Sequence, residues 1–402
     1  MVSLVFPPDP ASVGQHMADV AREMASRGWE VVVHTANRGY EDSSNVFPLR
    51  EHGDGIDIRR VRWSSFGKKS VAHRIGGQLS FCAQVFFRLL FVSHLDGLLI
   101  TTIPTFSGAL GWVIRLFRRT HVTFWLMDLN PDQAVAMGEF RQNSPIVRIF
   151  DWFNRRILKV ADVVVTMDRF MATKLESKYE LGNKLAVLPP WPHEDSLETV
   201  SADDNPFLIE HGLMGKFVLM YSGNHSLVHP LDTVVKAALR VEEKGPIEFL
   251  FVGGGTGKRI VDETIRRENP KHIRSLPYEP FERIKYSLSA ADVHLVTMGD
   301  SMVGCVHPCK IYGAMALSRP ILFVGPQHSH AGEILERFKI GWHVEQGDID
   351  GMERTLHTIV NTPREVLRAL GICAREAVDR EFSKTILCGQ FCDLIEGKAS
   401  PL

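Results

Sequence analysis

The sequence predicts an α/β protein of two doubly wound, Rossmann-like domains facing each other across a cleft. Three observations predict it. Short apolar strand-like runs alternate with helix-forming runs along the whole chain, the signature of parallel α/β units. At Pro189-Pro190-Trp191-Pro192 the alternation stops, and a polar, acidic stretch, HEDSLETVSADDNP, separates two complete patterns of similar size. Finally, 402 residues exceed one ordinary domain, while 45% hydrophobic and 23% charged residues suit well-filled cores.

The elements follow in order. VSLVF (2–6) reads as the first strand, GQHMADVAREMASRG (14–28) as a helix with apolar residues at helical spacing, and EVVVHT (30–35) as the second strand. GLLITT (97–102), HVTFWLMD (121–128), DVVVTM (162–167) and LAVLP (185–189) complete the first half. After the break come KFVLMYSG (216–223), IEFLFVGGG (247–255), HIRSLPY (272–278), DVHLVTM (292–298), PILFVG (320–325) and GWHVEQ (341–346). The expected domains are 1–192 and 193–384, closing on the 190–205 stretch.

Composition excludes several classes. A net charge of −1 argues against bulk nucleic-acid binding, which needs a strongly basic face. The six cysteines (82, 305, 309, 373, 388 and 392) show no disulfide-framework spacing, which fits reduced thiols in a cytoplasmic setting. Met1 opens onto an apolar run without a basic leader, and no stretch of about 18 apolar residues exists to span a bilayer. AQVFFRLLFV (83–92) is short and carries Arg88. With Lys68, Lys69, Arg74 and VIRLFRRTH (113–121) it makes a cationic, apolar surface suited to peripheral contact at the inner face of an anionic membrane. A core helix with a solvated basic edge is the competing reading.

In open α/β sheets ligands bind at the carboxyl ends of the strands, so the strand-to-helix turns are the candidate site. FPPDPASVGQH (6–16) delivers Gly14 to a helix start, where free N–H groups favour a phosphate or sugar; a plain Ser12 cap is the alternative. In YSGNHSLVH (221–229), Gly223 permits close approach and Asn224, His225 and Ser226 offer polar groups. FVGGGTGKR (251–259) fails the phosphate-loop pattern at Val252 and Arg259, and Lys258 breaks the G-x-G-x-x-G register. It leaves Gly254 in a glycine turn beside a phosphate. In VHPCKIYGAMALSRPILFVGP (306–326), Pro308 suits the first turn of a helix, and Lys310 adds a cation to its free N–H groups. That segment reads as a diphosphate clamp. Cys305, His307 and Cys309 match no zinc spacing, so neither a metal nor a resident cofactor is expected.

Pro308 to Pro320, with the pattern PxK-x-Y-x-x-M-A-x-x-R-P, resembles the donor-site segment of retaining nucleotide-sugar glycosyltransferases of the GT-B fold. The resemblance is closest to family 4 enzymes of bacterial exopolysaccharide, colanic-acid-type biosynthesis. FPPDPASVGQH is similar to their N-terminal FPP-E-x-G-G loop, WLMDLNPD (125–132) to their R-D-L-W-P-E segment, PPW (189–191) to their interdomain P-N-W, and YSGNH (221–225) to the first donor-domain loop. The resemblance implies that the C-terminal domain holds a nucleotide-diphosphate sugar and the N-terminal one the acceptor. Gly14 would approach the donor phosphates, Asn224 and His225 stand at the place of a phosphate-binding arginine, and Lys310 would neutralise the diphosphate. Backbone near Tyr278 would hold the base, Asp128 would lie beside the reacting sugar, and the 385–402 helix would return to the first domain. Two glutamates usual in the family are replaced by Cys305 and Gly313, and Met127 stands where a histidine is usual. The implied function is retaining transfer to a glycan or lipid-linked acceptor in cell-surface polysaccharide assembly. A non-catalytic GT-B-fold partner protein and a nucleotide-sugar epimerase are the alternatives.

Overall fold

A computed structural model describes the chain except residues 41, 65–70, 194–196, 243–246 and 399–402, and the side chains of residues 71, 72 and 74. The chain divides into two compact units. One comprises Met1–Pro190, Gly304–His307 and Thr385–Leu402; the other comprises Trp191–Val303 and Pro308–Lys384. Lys68 and Lys69 of the expected basic surface, and 194–196 of the expected hinge, lie outside the described residues.

In the first unit, β1 (Val31–Ala36), β2 (Arg50–Gly53) and β3 (Ile56–Val61) form a three-stranded sheet in the order β1-β3-β2. β4 (Gly97–Thr101), β5 (His121–Leu126), β6 (Val163–Thr166) and β7 (Leu185–Val187) form a parallel four-stranded one. The 2–6 run is not a regular strand. Only Val2 makes a parallel bridge, pairing with His34 of β1 and Ile100 of β4 and so joining the two sheets. The run still spends its backbone groups like a strand, since Ser3 N–H donates to the His34 carbonyl and Leu4 N–H to that of Ile103. The β2–β3 hairpin was not expected. Asp54 and Gly55 turn it with φ of 53° and 74°, the paired positive values that an Asp-Gly hairpin turn requires.

The second unit holds one six-stranded parallel sheet: β8 (Phe217–Ser222), β9 (Ile247–Val252), β10 (Ile273–Leu276), β11 (Val293–Thr297), β12 (Ile321–Val324) and β13 (Gly341–Val344). Their order is β10-β9-β8-β11-β12-β13, so the direction of winding reverses between β8 and β11. All six residues of β9 and all four of β12 are buried, as strands covered on both faces by helices must be. The reversal opens a crevice beyond the carboxyl ends of β8 and β11, where such sheets bind ligands.

Candidate active site

The crevice in the second unit is lined by three loops that lock together through backbone. After β8, Gly223 N–H donates to the Val252 carbonyl at 2.9 Å and His225 N–H to that of Gly254 at 2.7 Å. Gly253 has a φ of 126°, and a Cβ there would lie 2.1 Å from the Gly223 oxygen, so only glycine fits. The Tyr278 hydroxyl donates to the Gly254 carbonyl at 3.2 Å, and its half-exposed ring leaves no room for a Cβ on Gly254. Asn224 is exposed at the tip of the β8 loop.

Lys310 points into this loop cluster. Its ammonium lies 5.2 Å from the centre of the Tyr221 ring at the end of β8. Its Cε would be 3.2 Å from a Cβ on Gly223, which has a φ of 111°. Surrounding protein strips water from the ammonium although the side chain as a whole keeps some exposure, and burial lowers its pKa to about 8. Among the described residues no carboxylate pairs with it. The helix it opens, Lys310–Ala316, is only seven residues long, and Pro308 precedes it instead of occupying its first turn. The Pro308 carbonyl accepts from Ile311 N–H at 3.2 Å, closing the turn that leads in. The positive charge of this segment therefore resides on Lys310 itself.

Two histidines and a second lysine complete the cluster. His225 is fully buried; its Nδ1 faces the Gly223 carbonyl at 2.9 Å, so Nδ1 carries the proton and Nε2, buried without a partner, presents a lone pair. Burial, then the charges of Lys258 and Lys310, lower its pKa to about 4. It is neutral at pH 7 and contributes shape, not charge. His229, whose Nδ1 donates to the Thr297 carbonyl of β11 at 2.6 Å, is lowered to about 3 by burial and by Lys310. Lys258 is buried, donates to the Gly253 and Leu276 carbonyls, and has its pKa lowered by burial. Sequence reasoning passed over His229 and Lys258 as site residues, although both lie in stretches it quoted.

Gly14 and Asp128 belong to the first unit. Gly14 packs on backbone, where a Cβ would come 3.0 Å from the Phe6 nitrogen, so close helix–loop packing suffices to require glycine there. Two residues on, buried His16 donates through Nδ1 to the Ser12 carbonyl at 2.9 Å and meets the Trp125 ring edge-on at 6.1 Å. Asp128 follows β5, and burial raises its pKa to about 6. Cys305, at one place where the resembling family has glutamate, is buried 2.8 Å from the Lys174 ammonium. Its neighbour His307 holds Asp168 at 2.8 Å with both side chains buried. Gly313 is buried within its helix. Among the described residues no group of three histidines, cysteines or acids is placed to hold a metal ion, and no helix is long and apolar enough to cross a membrane.

Residues 12–191 match the family model for the glycosyl transferase 4-like domain. The chain is 25% identical over 296 residues to the probable glycosyltransferase WbjE of Pseudomonas aeruginosa, covering 73% of this chain and 70% of that one. It is 23% identical to the putative colanic acid biosynthesis glycosyl transferase WcaI of Escherichia coli, covering 98% of each chain. Among solved structures, sucrose-phosphate synthase from Thermosynechococcus elongatus superposes with a TM-score of 0.79 at 16% identity over 99% of this chain and 98% of that one. Anabaena HepE in complex with UDP and glucose does so with a TM-score of 0.71 at 15% identity over 98% of each.

Proposed function

We propose that this chain, a glycosyltransferase of the GT-B fold similar to family 4 enzymes, moves a sugar, with retention at the anomeric carbon, from a nucleotide-diphosphate sugar to a glycan or lipid-linked acceptor of a cell-surface polysaccharide. The observation that carries the donor assignment is Lys310. Among the described residues it is a desolvated cation without a carboxylate partner, aimed at glycine loops at the switch point of a parallel sheet. An ammonium held that way is unfavourable until an anion arrives, and the diphosphate of a sugar donor is such an anion. The HepE complex with UDP and glucose is in keeping with a donor of this kind.

In the reaction the glycosidic bond to the diphosphate breaks and negative charge grows on the leaving oxygen. Lys310 stabilises that charge, with the backbone of the Gly223 and Gly254 loops packed close enough for phosphate oxygens to approach. Neutral His225 and His229 keep their Nδ1 protons on backbone carbonyls and so fix the loops around the lysine. Asp128, kept near pKa 6 by burial, sits at the carboxyl end of β5 in the unit assigned to the acceptor. An acceptor hydroxyl attacking the face that the leaving group vacates preserves the configuration, its proton passing to the departing diphosphate oxygen.

Lys310→Met tests the assignment. Loss of one transition-state charge stabiliser should lower turnover by about two to three powers of ten, with nucleoside diphosphate binding weakened in calorimetry. The same variant should melt higher at pH 7, because it removes a buried unpaired charge. Undiminished binding would leave the anion elsewhere and end the clamp reading.

A further inference from the structure

The first unit holds a hollow that the donor assignment does not use. β1 and β3 run parallel with Ala36 beside Val61, so the residues that follow them emerge side by side. Asn37 and Arg38 come from β1, Arg62 and Trp63 from β3. The carboxyl ends of neighbouring parallel strands are where α/β sheets take ligands. Arg38 then pairs antiparallel with Val46, which brings Phe47 and Pro48 back beside the strand ends. Together these residues line an open hollow of about 380 Å³, a size within the range of small-molecule sites.

Its floor is fixed from below. Phe47 N–H donates to the Asn37 carbonyl at 2.8 Å, and Asn37 N–H to that of Val61 at 3.3 Å. Arg60 of β3, fully buried, lies 5.5 Å from the centre of the Phe47 ring and donates to the carbonyls of Pro48 at 3.1 Å and Pro7 at 2.8 Å. The rim is cationic. Arg38 and Arg62 are exposed, and Arg38 donates to the Ser43 carbonyl at 2.8 Å. The nearby acids are committed elsewhere: Asp42 to the Ser44 N–H and hydroxyl, Asp57 to Arg50 and Arg59, and Glu51 to Arg60. Among the described residues no carboxylate pairs with Arg38 or Arg62. Trp63 is 68% exposed and has a φ of 52°, an unfavourable backbone for a bulky side chain. Strain without burial in return points to what the ring presents outward, not to packing.

We propose that this hollow binds an acidic sugar residue, one carrying a carboxylate, of the acceptor glycan. The role of that sugar rests on the sugar-transfer reading; its chemistry rests on the hollow. A pyranose ring has a C–H face that packs on a flat aromatic surface, and groups around its edge that need hydrogen-bond partners. Trp63 and Phe47 supply the surface. The two guanidiniums supply donors in a fork that matches a carboxylate. A neutral sugar would leave both charges without a counter-charge, and a wholly apolar ligand would cover them unpaired.

Titration of the full chain by ligand-observed NMR, with no donor present, tests this. Methyl glucuronide is the acidic probe, methyl glucoside the neutral one, and inorganic phosphate the anion without a sugar. The glucuronide should bind about tenfold or more tighter than the glucoside, with the preference shrinking at high salt. Arg38→Gln and Arg62→Gln should each weaken glucuronide binding about tenfold and leave the glucoside nearly unchanged. Trp63→Ala should weaken both sugars, and Trp63→Phe should restore them. Lys310→Met should not alter glucuronide binding, and melting and nucleoside diphosphate binding should stay unchanged in the Arg38, Arg62 and Trp63 variants. No donor or turnover enters, so failure here leaves the Lys310 assignment standing, and failure of that assignment leaves this site intact. Equal binding of glucuronide and glucoside, glucuronide binding that survives the arginine or Trp63→Ala substitutions, phosphate binding as tightly as the glucuronide at the same arginines, or no binding of either sugar would each overturn the proposal.

Discussion

Lys310 combines a charge with a place that disfavours it, and its pH behaviour should report both. Its folded pKa of about 8 lies below the ordinary 10.5. Below pH 8 it is charged in both the folded and unfolded states, and folding carries the full desolvation cost. Between pH 8 and 10.5 the folded state has shed a proton that the unfolded state keeps, so this contribution to stability recovers as pH rises. The cost is on the order of 3 kcal/mol. The stability advantage of Lys310→Met over the native chain should therefore be largest below pH 8 and vanish near pH 10.5 in parallel denaturant titrations. Donor binding carries the opposite sign. A bound diphosphate restores the charge, so nucleoside diphosphate affinity should fall above pH 8 with uptake of one proton on binding, measurable by calorimetry in buffers of different ionisation heat. A pH-independent affinity in the native chain would mean that the anion is held without Lys310.

At the scale of elements, the C-terminal helix Lys384–Ile395 is fastened to the first unit at two points. Arg27 at the end of the helix Ser12–Ser26 bonds Glu23 at 2.8 Å, Asp393 at 2.6 Å and Glu396 at 2.7 Å, and Trp29 Nε1 donates to the other Glu396 oxygen at 2.8 Å. On its inner face Phe391, fully buried, packs 4.2 Å from Trp125 of β5. Arg27→Ala leaves Asp393 short of a cation and Glu396 with Lys398 at 2.9 Å in its place, and Phe391→Ala opens a cavity in a filled core. Losses of about 2 and about 3–5 kcal/mol are expected for the two. Hydrogen exchange of the 384–395 amides is the readout, since it localises the loss to this helix. The depressed pKa of Glu396, about 2, sets an acid limit: its contribution is intact above about pH 4.5 and lost as pH falls through 2.

Elements were legible in the sequence wherever a single period decided them. The four inner strands of the second unit, β8, β9, β11 and β12, announce themselves as largely apolar runs between turn residues, because a doubly covered parallel strand has no polar face to blur the signal, whereas the edge strands β10 and β13 are mixed and only partly buried. The 2–6 run misled for a related reason. It is apolar because it is buried, yet only Val2 finds a bridge on either side. The 50–61 hairpin carries six charged or histidine side chains in REHG and IDIRRV outside its turn, which hid an Asp-Gly signal that is strong by itself. In the site, glycines at strand ends could be read from the chain, since their spacing is local. The desolvation of Lys310 could not. It depends on Tyr221 and Gly223, some ninety residues away, and on neutral His225 and His229, whose tautomers are fixed by the carbonyls of Gly223 and of Thr297 in β11.

At the scale of the whole molecule, the first unit is not a contiguous stretch of chain. Besides Met1–Pro190 it takes in Gly304–His307 and the C-terminal segment from Thr385. The four-residue excursion is tightly held. Leu129 N–H donates to the Cys305 carbonyl at 2.9 Å, Lys174 reaches the Cys305 thiol, and His307 bonds Asp168, whose other oxygen caps the helix Arg169–Glu176 at Met171. Gly304 adopts a φ of 71°, and a Cβ there would lie 2.7 Å from the Phe170 oxygen. A fragment ending at residue 190 would therefore leave buried Asp168 without His307, Trp125 without Phe391, and the Arg27 side chain without two of its three acids. Unsatisfied buried groups of this kind cost about 1–3 kcal/mol each, and an uncovered aromatic core costs more, against a total stability of only about 5–15 kcal/mol. The 1–190 fragment is thus expected to bind a hydrophobic dye and to melt without a cooperative transition. Joining residues 384–398 to it through a flexible linker should restore a cooperative melt by covering Trp125 and Arg27, with the remaining deficit traceable to the missing 304–307 segment and reproduced in the full chain by His307→Ala. A 1–190 fragment that melts as sharply as the full chain would show instead that the first unit's core closes without either returning segment.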